Sequence, residues 1–129
     1  MSETVSFSVK GVAPSKSNFR RSGKNWRARW ARIKTFEAIV GWEAKAAGAS
    51  VRPDRTATVY IFAYGQRCDA DNITKVAVDG LKGVAFEDDA KKYVEGVMVM
   101  HRPDDGKGRR LEFEVRFKPA RPAPAEGRE

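Results

Sequence analysis

The chain has 129 residues, of which 41% are hydrophobic and 33% charged. This length suits one domain with a single core, and the composition is typical of a folded protein rather than a disordered one. No apolar run approaches the ~20 residues that a membrane-spanning helix needs, and the N-terminus lacks the pattern of a signal peptide, so we expect a cytoplasmic protein without a membrane partner. The single cysteine, Cys68, excludes an intrachain disulfide and a multi-cysteine zinc site, and the single histidine, His101, excludes hydrolases built on several histidines.

The formal net charge of +8 is concentrated in one segment. Residues 14–34 contain eight bases and no acid, whereas the other 17 bases are matched by 17 acids. A phosphate backbone favours such a segment, because each neutralised phosphate releases condensed counterions, and Phe19, Trp26 and Trp30 among the bases could stack on nucleobases. We therefore expect a DNA-binding arm; the alternative is a solvated loop that binds nothing in particular. The candidate DNA-binding residues are Lys16, Arg20, Arg21, Lys24, Arg27 and Arg29, with Arg67 and Asn72 further along the chain.

In the first half of the chain, apolar and polar residues alternate over Thr4–Lys10, which predicts a strand. Pro14 ends it, and we expect the arm to follow as a loop. Apolar residues then recur at spacings of three and four over 33–47, which predicts an amphipathic helix that stops at Gly48. The β-branched and aromatic run 56–64 predicts a second strand, central in its sheet.

In the second half, Asp71 or Asn72 is expected to cap a helix with an apolar stripe that ends at Gly83. Residues 93–100 and 111–117 are expected to be strands joined by a turn over 103–108, and so to form a hairpin. The predicted fold class is a single small α/β domain with a mixed sheet of about four strands and two main helices. We expect the domain to cover residues 1–118 and residues 119–129 to be a flexible, proline-rich tail.

An acidic cluster lies at the junction between the second strand and the second helix. We expect Asp69 and Asp71 on an extended strand end, where residues two apart point to the same side and could bind one hard cation. Lys75 projects towards the same end and could neutralise a scissile phosphate, with Asp79 holding it through an i,i+4 pair. Asp88 and Asp89 follow the helix, and the chain is long enough there to fold back and complete the site.

Other interpretations of these acids are open. A calcium-binding EF-hand loop starting at Asp69 is rejected, because Ile73, Thr74 and Gly80 stand where it needs an Asx residue, Gly and Glu. Each acid taken alone could be a helix cap or a turn residue. Several carboxylates on one site repel one another unless a cation is bound, and together with the basic arm they favour a metal site. We expect no chemical role for Cys68 or His101.

The acidic segment resembles the signature of the RusA family of Holliday junction resolvases, which are often encoded by phages and prophages. The residues that carry this resemblance are Asp69-x-Asp71-Asn72-x-x-Lys75-x-x-x-Asp79-x-Leu81, followed by Phe86 and the pair Asp88-Asp89. It implies a compact α/β homodimer whose two metal sites make paired nicks across a four-way junction. It also implies that Asp69, Asp71 and Asp89 bind the metal, that Asp88 supports them, and that Lys75 is the essential lysine.

The function expected from these patterns is hydrolysis of DNA phosphodiester bonds with Mg²⁺, or alternatively Mn²⁺, held by Asp69, Asp71 and Asp89. The substrates would be four-way junctions or other branched DNA in recombination and repair, and the protein would be associated with DNA in the cytoplasm. Two alternatives remain at this point: a non-catalytic nucleic-acid-binding protein whose acidic cluster is structural, and an enzyme that acts on RNA.

Overall fold

The computed structural model describes residues 3–16 and 25–122. Within that part of the chain, two helices and four strands follow one another as β1 Glu3–Lys10, α1 Trp26–Ala46, β2 Ala57–Tyr64, α2 Ala70–Leu81, β3 Val94–Arg102 and β4 Arg110–Phe117. The predicted fold class, a small α/β domain with one mixed sheet and two helices, is confirmed.

The strands lie in the order β1-β4-β2-β3 across the sheet. β4 is antiparallel to β1 and to β2, whereas β2 and β3 are parallel. The prediction that β2 is central is confirmed, but the predicted hairpin of the last two strands is wrong, because β2 lies between them. Helix α2 carries the chain from the end of β2 back to the start of β3, the connection that a parallel pair requires. β4 then crosses to the middle of the sheet, where its alternate residues are fully buried, and β3 is left at the edge.

Both helices cover one face of the sheet, and the core lies between them and the strands. Alternate residues of β2 and β4 are buried on this face, including Ile61 and Leu111, and burial of each such side chain contributes roughly 1.5–3 kcal/mol. Phe7 of β1 stacks on Phe113 of β4 with ring centroids 4.6 Å apart. On the opposite face, Met98 and Met100 of β3 are exposed.

Helix α1 begins at Trp26, seven residues before the predicted start. The second half of the predicted loop-like arm, residues 26–34, is therefore helical, which corrects the sequence interpretation. Arg and Ala are good helix formers, and Trp30 extends the apolar stripe by one turn and packs against the core. Asn25 precedes the helix in the left-handed conformation with φ 67° and makes no side-chain cap, so the usual start signal is missing.

Helices α1 and α2 cross at two glycines. A Cβ atom on Gly80 would lie 2.8 Å from the backbone oxygen of Glu37 and 2.8 Å from the Cβ of Val40, and one on Gly41 would lie 3.1 Å from the backbone oxygen of Gly80. The helices can approach this closely only because both positions lack side chains. The predicted apolar stripe of α2 is buried, and Gly83 follows the helix with φ 77°.

The chain after β4 stays attached to the domain as far as Arg121. The backbone N–H of Arg121 donates to the Asp54 carbonyl at 2.7 Å, and its guanidinium donates to the Lys92 carbonyl at 2.7 Å. Most of the predicted tail, residues 123–129, lies outside the described residues, so the domain boundary remains a prediction. Neither of the two described helices has the length and apolar character needed to cross a bilayer.

Candidate active site

Asp69 is the N-cap residue of α2. Its Oδ1 accepts hydrogen bonds from the backbone N–H of Asn72 at 2.9 Å and from the Asn72 side-chain amide at 3.0 Å. This satisfies one of the backbone donors that every helix N-terminus leaves without an intrahelical partner. The prediction that Asp71 or Asn72 caps the helix is therefore wrong. Both lie inside the first turn, so Asp71 is not on an extended strand end as expected.

Asp71 forms an ion pair with Lys75, its Oδ2 lying 3.3 Å from the lysine Nζ. An acid four residues before a lysine is the more favourable order of such a pair along a helix. The predicted i,i+4 pair of Lys75 with Asp79 is replaced by this one, while Asp79 makes ion pairs with Lys16 and Lys82. The Lys75 side chain is half exposed, so its ammonium is accessible to a ligand.

Lys75 and Asp89 line the same cavity, which has a volume of about 300 Å³. The cavity lies between the middle of α2 and the start of β3, and the segment before β3 closes one side. Its lining residues are Thr74, Lys75, Val78, Asp79, Asp89, Val94, Glu95, Gly96 and Val97. The structure therefore brings together the lysine and one of the later aspartates, which are 14 residues apart in the sequence.

The two aspartates before β3 differ in their surroundings. The Oδ1 of Asp88 accepts a hydrogen bond from the backbone N–H of Ala90 at 2.7 Å, as a turn-forming aspartate does. Asp89 instead faces the cavity, and its Oδ2 lies 3.7 Å from the Nζ of Lys82. Of the two, Asp89 is the one placed to meet a ligand that also contacts Lys75.

The four predicted metal ligands, Asp69, Asp71, Asp88 and Asp89, are not gathered into one cluster. Across residues 3–16 and 25–122, no three His, Cys, Asp or Glu side chains lie close enough together to hold a metal ion. The donor chemistry nevertheless suits Mg²⁺, which commonly takes one or two carboxylates together with waters and substrate phosphates. Asp71 pairs with Lys75 and Asp89 shares a cavity with it. The four-ligand set remains a prediction.

A chain of ion pairs runs from the N-terminal segment to Asp89. The Nζ of Lys16 lies 2.6 Å from Glu37 Oε2 and also contacts Asp79. Asp79 Oδ1 is 3.2 Å from Lys82 Nζ, which in turn approaches Asp89. That Lys16 binds DNA remains a prediction; its side chain is 19% exposed, and its ammonium pairs with the buried Glu37 and with Asp79.

These contacts change the protonation equilibria of the paired groups. Burial acts to raise the pKa of Asp79, but hydrogen bonds from Lys16 and Lys82 outweigh it and hold the pKa below its ordinary value. Burial acts to lower the pKa of Lys16, and its hydrogen bonds to Asp79 and Glu37 raise the pKa above the ordinary value. The hydrogen bond to Asp79 likewise raises the pKa of Lys82. Each charged form is therefore stabilised by its neighbours.

The other predicted DNA-binding residues lie in three places. Arg27 and Arg29 are exposed on the first two turns of α1, and Arg67 is exposed in the loop before Asp69. Asn72 is half-buried at the start of α2, where its Oδ1 accepts a hydrogen bond from the Ser15 hydroxyl at 3.1 Å. The predictions for Arg20, Arg21 and Lys24 concern positions outside the described residues.

Sequence reasoning missed the residues that fasten the N-terminal segment to the site. Gln66 accepts from the Ala13 N–H and donates to the Gly11 carbonyl, each at 2.8 Å. The Cys68 thiol donates to the Ala13 carbonyl at 3.1 Å, and burial, followed by the nearby Asp69 carboxylate, raises the pKa of that thiol. His101 is exposed, and its Nε2 lies 2.8 Å from the Cys68 carbonyl oxygen. No periodicity signals side-chain contacts that join loops more than 50 residues apart.

Residues 9–116 match the model of the endodeoxyribonuclease RusA family. This stretch runs from the end of β1 to the end of β4 and includes the whole acidic segment. The chain belongs to the RusA family. No curated protein matches the chain.

RusA family membership confirms the resemblance that the acidic segment carries. The family consists of endodeoxyribonucleases that act on branched DNA junctions, and membership implies a Holliday junction-resolving endonuclease. Nucleases of the RusA family are generally dependent on a divalent metal. The aspartates near Lys75 and the basic start of α1 suit that chemistry, because carboxylates are common ligands of Mg²⁺ and arginine is a common ligand of phosphate.

Proposed function

We propose that this protein resolves four-way DNA junctions by Mg²⁺-dependent hydrolysis of phosphodiester bonds, making paired symmetric nicks as a homodimer. The family match over residues 9–116 carries the proposal, and the cavity shared by Lys75 and Asp89 supports it. The process would be recombination or repair of DNA in the cytoplasm, and Mn²⁺ would be an alternative to Mg²⁺.

The metal would be held by Asp69, Asp71 and Asp89, the ligands that the family resemblance implies. Two of them lie near Lys75, since Asp71 forms an ion pair with it and Asp89 lines the same cavity. When bound, it would supply an activated water and charge stabilisation for the departing 3′-oxygen. Lys75 contributes a cation that offsets charge on the phosphate. Asp89 is preferred to Asp88 as a direct ligand, because Asp88 accepts a hydrogen bond from its own turn. Asp88 would then shape the segment that presents Asp89.

A homodimer is proposed because paired nicks on opposite strands of a junction require two active sites. The sheet face opposite the helices supports a subunit contact, since Met98 and Met100 are exposed there at 50% and 40%. Exposed methionines next to half-buried aromatic side chains are typical of surfaces that bind another protein.

The proposal is tested by incubating the purified chain with a synthetic four-way junction, a fork, a linear duplex and a single-stranded RNA. Reactions contain either Mg²⁺ or EDTA, and products are resolved on denaturing gels. We expect symmetric nicks on the junction in Mg²⁺ and none in EDTA. Binding of the junction without cleavage in any metal would instead indicate a non-catalytic DNA-binding protein, an interpretation that gains support from the capping role of Asp69.

The matched pair Asp89→Asn and Asp88→Asn assigns the later ligand. Asp89→Asn should lower the cleavage rate by at least about a hundredfold, since several kcal/mol of charge stabilisation are removed. Asp88→Asn should change the rate by less than about threefold, because asparagine forms the same turn. The reverse order of effects would assign the metal to Asp88.

A further inference from the structure

A second groove, with a volume of about 210 Å³, lies between the N-terminal segment and α1. It is lined by Pro14, Ser15, Arg29, Arg32 and Ile33. Arg29 and Arg32 are three residues apart on the helix, so their side chains lie on the same side of α1. Among the described residues, the lining contains two guanidinium groups and a hydroxyl and no carboxylate. This chemistry suits an anion.

The groove is joined to the candidate active site by two successive hydrogen bonds. The Ser15 hydroxyl donates to Asn72 Oδ1 at 3.1 Å, and the Asn72 amide donates to Asp69 Oδ1 at 3.0 Å. An anion bound between Ser15 and the arginines therefore lies one asparagine side chain away from a proposed metal ligand. Neighbouring phosphates of one DNA strand are one nucleotide apart, and the axial rise of about 3.4 Å per nucleotide is the lower bound on their separation.

The wall formed by Pro14 and Ser15 is held in place from both sides. The preceding residue, Ala13, is bonded through its N–H to Gln66 and through its carbonyl to Cys68. The following residue, Lys16, is held by Glu37 and Asp79. A binding wall fixed in this way does not have to be ordered when the ligand arrives, which lowers the entropic cost of binding.

We infer that this groove binds the backbone phosphate next to the scissile phosphate, with Arg29 and Arg32 as its charged contacts. Ser15, whose hydroxyl donates to Asn72, forms the wall that sets the distance of this phosphate from Asp69. The ligand class is a phosphodiester of the DNA backbone. Guanidinium groups present paired donors that match phosphate oxygens. The inference rests on the proposed function, because it names how the proposed nuclease sets its substrate in register with the aspartates.

The inference is tested by binding measurements in EDTA, where no cleavage occurs, with junctions that carry one neutral methylphosphonate at a chosen phosphate. Arg29→Gln and Arg32→Gln are each compared with the wild type on the unmodified junction and on junctions modified at positions around the cut. Lys45→Gln is the matched control, since it removes one charge from the same helix about 20–24 Å further along, at about 1.5 Å per residue. Thermal unfolding of each variant checks that the exposed substitutions leave the fold intact.

On the unmodified junction, each arginine variant should bind about tenfold more weakly, as expected for loss of one charge-assisted contact worth about 1.4 kcal/mol. On the junction that is neutralised next to the cut, the same substitution should weaken binding by less than about threefold, because the contact between the arginine and that phosphate is already lost. Ser15→Ala should weaken binding by a smaller factor, and Lys45→Gln should have no position-dependent effect.

An arginine effect that is the same at every modified phosphate, or the same as that of Lys45→Gln, would overturn the inference. So would failure of the chain to bind any junction. Cleavage by the wild type in Mg²⁺ is measured in parallel, which separates the two proposals. If the arginine effect depends on position but no cleavage occurs, the groove is a backbone-phosphate site and the nuclease proposal is wrong. If cleavage occurs without a position-dependent effect, only the groove inference is wrong.

Discussion

Asp79 on α2 accepts a hydrogen bond from Lys16, although 63 residues separate them in the sequence. Glu37 on α1 takes a second hydrogen bond from the same ammonium at 2.6 Å. One lysine thus joins the segment after β1 to both helices. It also explains how Glu37, a charged residue that is only 8% exposed, is accommodated beside the core, because a buried carboxylate needs a paired cation.

Replacing Lys16 should therefore destabilise the fold. In Lys16→Met, two partly buried carboxylates lose their shared cation, and we expect the free energy of unfolding to fall by about 1–3 kcal/mol. Lys34→Met is the matched control, since Lys34 pairs with the same Glu37 at 3.2 Å but is 52% exposed, and exposed pairs contribute at most about 1 kcal/mol. Urea unfolding measures both variants, and equal effects would contradict an internal role for Lys16.

The stability of the protein should depend on pH through Asp79. The pKa of Asp79 is lowered from 3.8 in the folded protein. Its contribution to the free energy of unfolding is therefore fully present above the pKa of the unfolded chain, and it is lost as the pH falls through the pKa of the folded protein. The pKa of Lys16 is raised from 10.5, so its contribution is complete below that pH and is lost as the pH rises through the folded pKa. The pair therefore stabilises the fold between about pH 4 and pH 10.

Urea unfolding between pH 2.5 and 7 tests the acid side of this window. The free energy of unfolding of Asp79→Asn should change less with pH in the acid range than that of the wild type, because the variant has no carboxylate to protonate. Asp54→Asn, an exposed substitution in the turn before β2, is the control. If Asp79→Asn kept the acid dependence of the wild type, the ion pair would not be a source of stability.

The crossing of α1 and α2 should not tolerate a methyl group at Gly80. A Cβ atom there would lie 2.8 Å from both Glu37 O and Val40 Cβ, so Gly80→Ala should force the helices apart and lower the free energy of unfolding by roughly 1–3 kcal/mol. Gly96→Ala on β3 is the control, because a Cβ atom there meets nothing within 4 Å. Its effect should be within about 0.5 kcal/mol. Thermal melts that did not separate the two variants would contradict this close packing.

Asp69→Asn separates the structural role of Asp69 from its proposed role in metal binding. Asparagine caps a helix about as well as aspartate, so the free energy of unfolding should change by less than about 0.5 kcal/mol. The cleavage rate should nevertheless fall by at least about a hundredfold if the carboxylate binds the metal. Junction binding should be retained or strengthened, because one negative charge facing phosphate is removed. A variant that cleaved at the wild-type rate would leave Asp69 with capping alone.

The elements of this fold could largely be predicted from local patterns, whereas their pairing could not. Alternation marked β1 and β4, and the periodic stripe marked α2, since these signals are set by burial within each element. The hairpin prediction failed because nearness in sequence was taken for nearness in the sheet. The start of α1 was not predicted, because Asn25 provides no side-chain cap and the run of basic residues is typical of a solvated loop.

For the candidate site, the motif identified Asp69, Lys75 and Asp89 as residues that belong together, and the structure brings Lys75 and Asp89 to one cavity. The individual roles were harder to predict. Three neighbouring Asx residues could each have capped α2, and only the backbone conformation selects Asp69. The ion pairs of Lys16 with Glu37 and Asp79 could not be predicted, because these partners are distant in sequence and no local pattern indicates a tertiary ion pair.

The position of β3 at the edge of the sheet has a practical consequence for handling this protein. An edge strand presents a row of unpaired backbone donors and acceptors to any further strand. Natural proteins usually prevent such pairing with lysine or proline on the edge strand. β3 is nine residues long, and its stretch Gly96–Met100 carries no charge. Among the described strands, β3 therefore has an uncharged stretch of edge that can pair with a further strand, and solubility during overexpression should respond more to one lysine placed there than to charges added elsewhere.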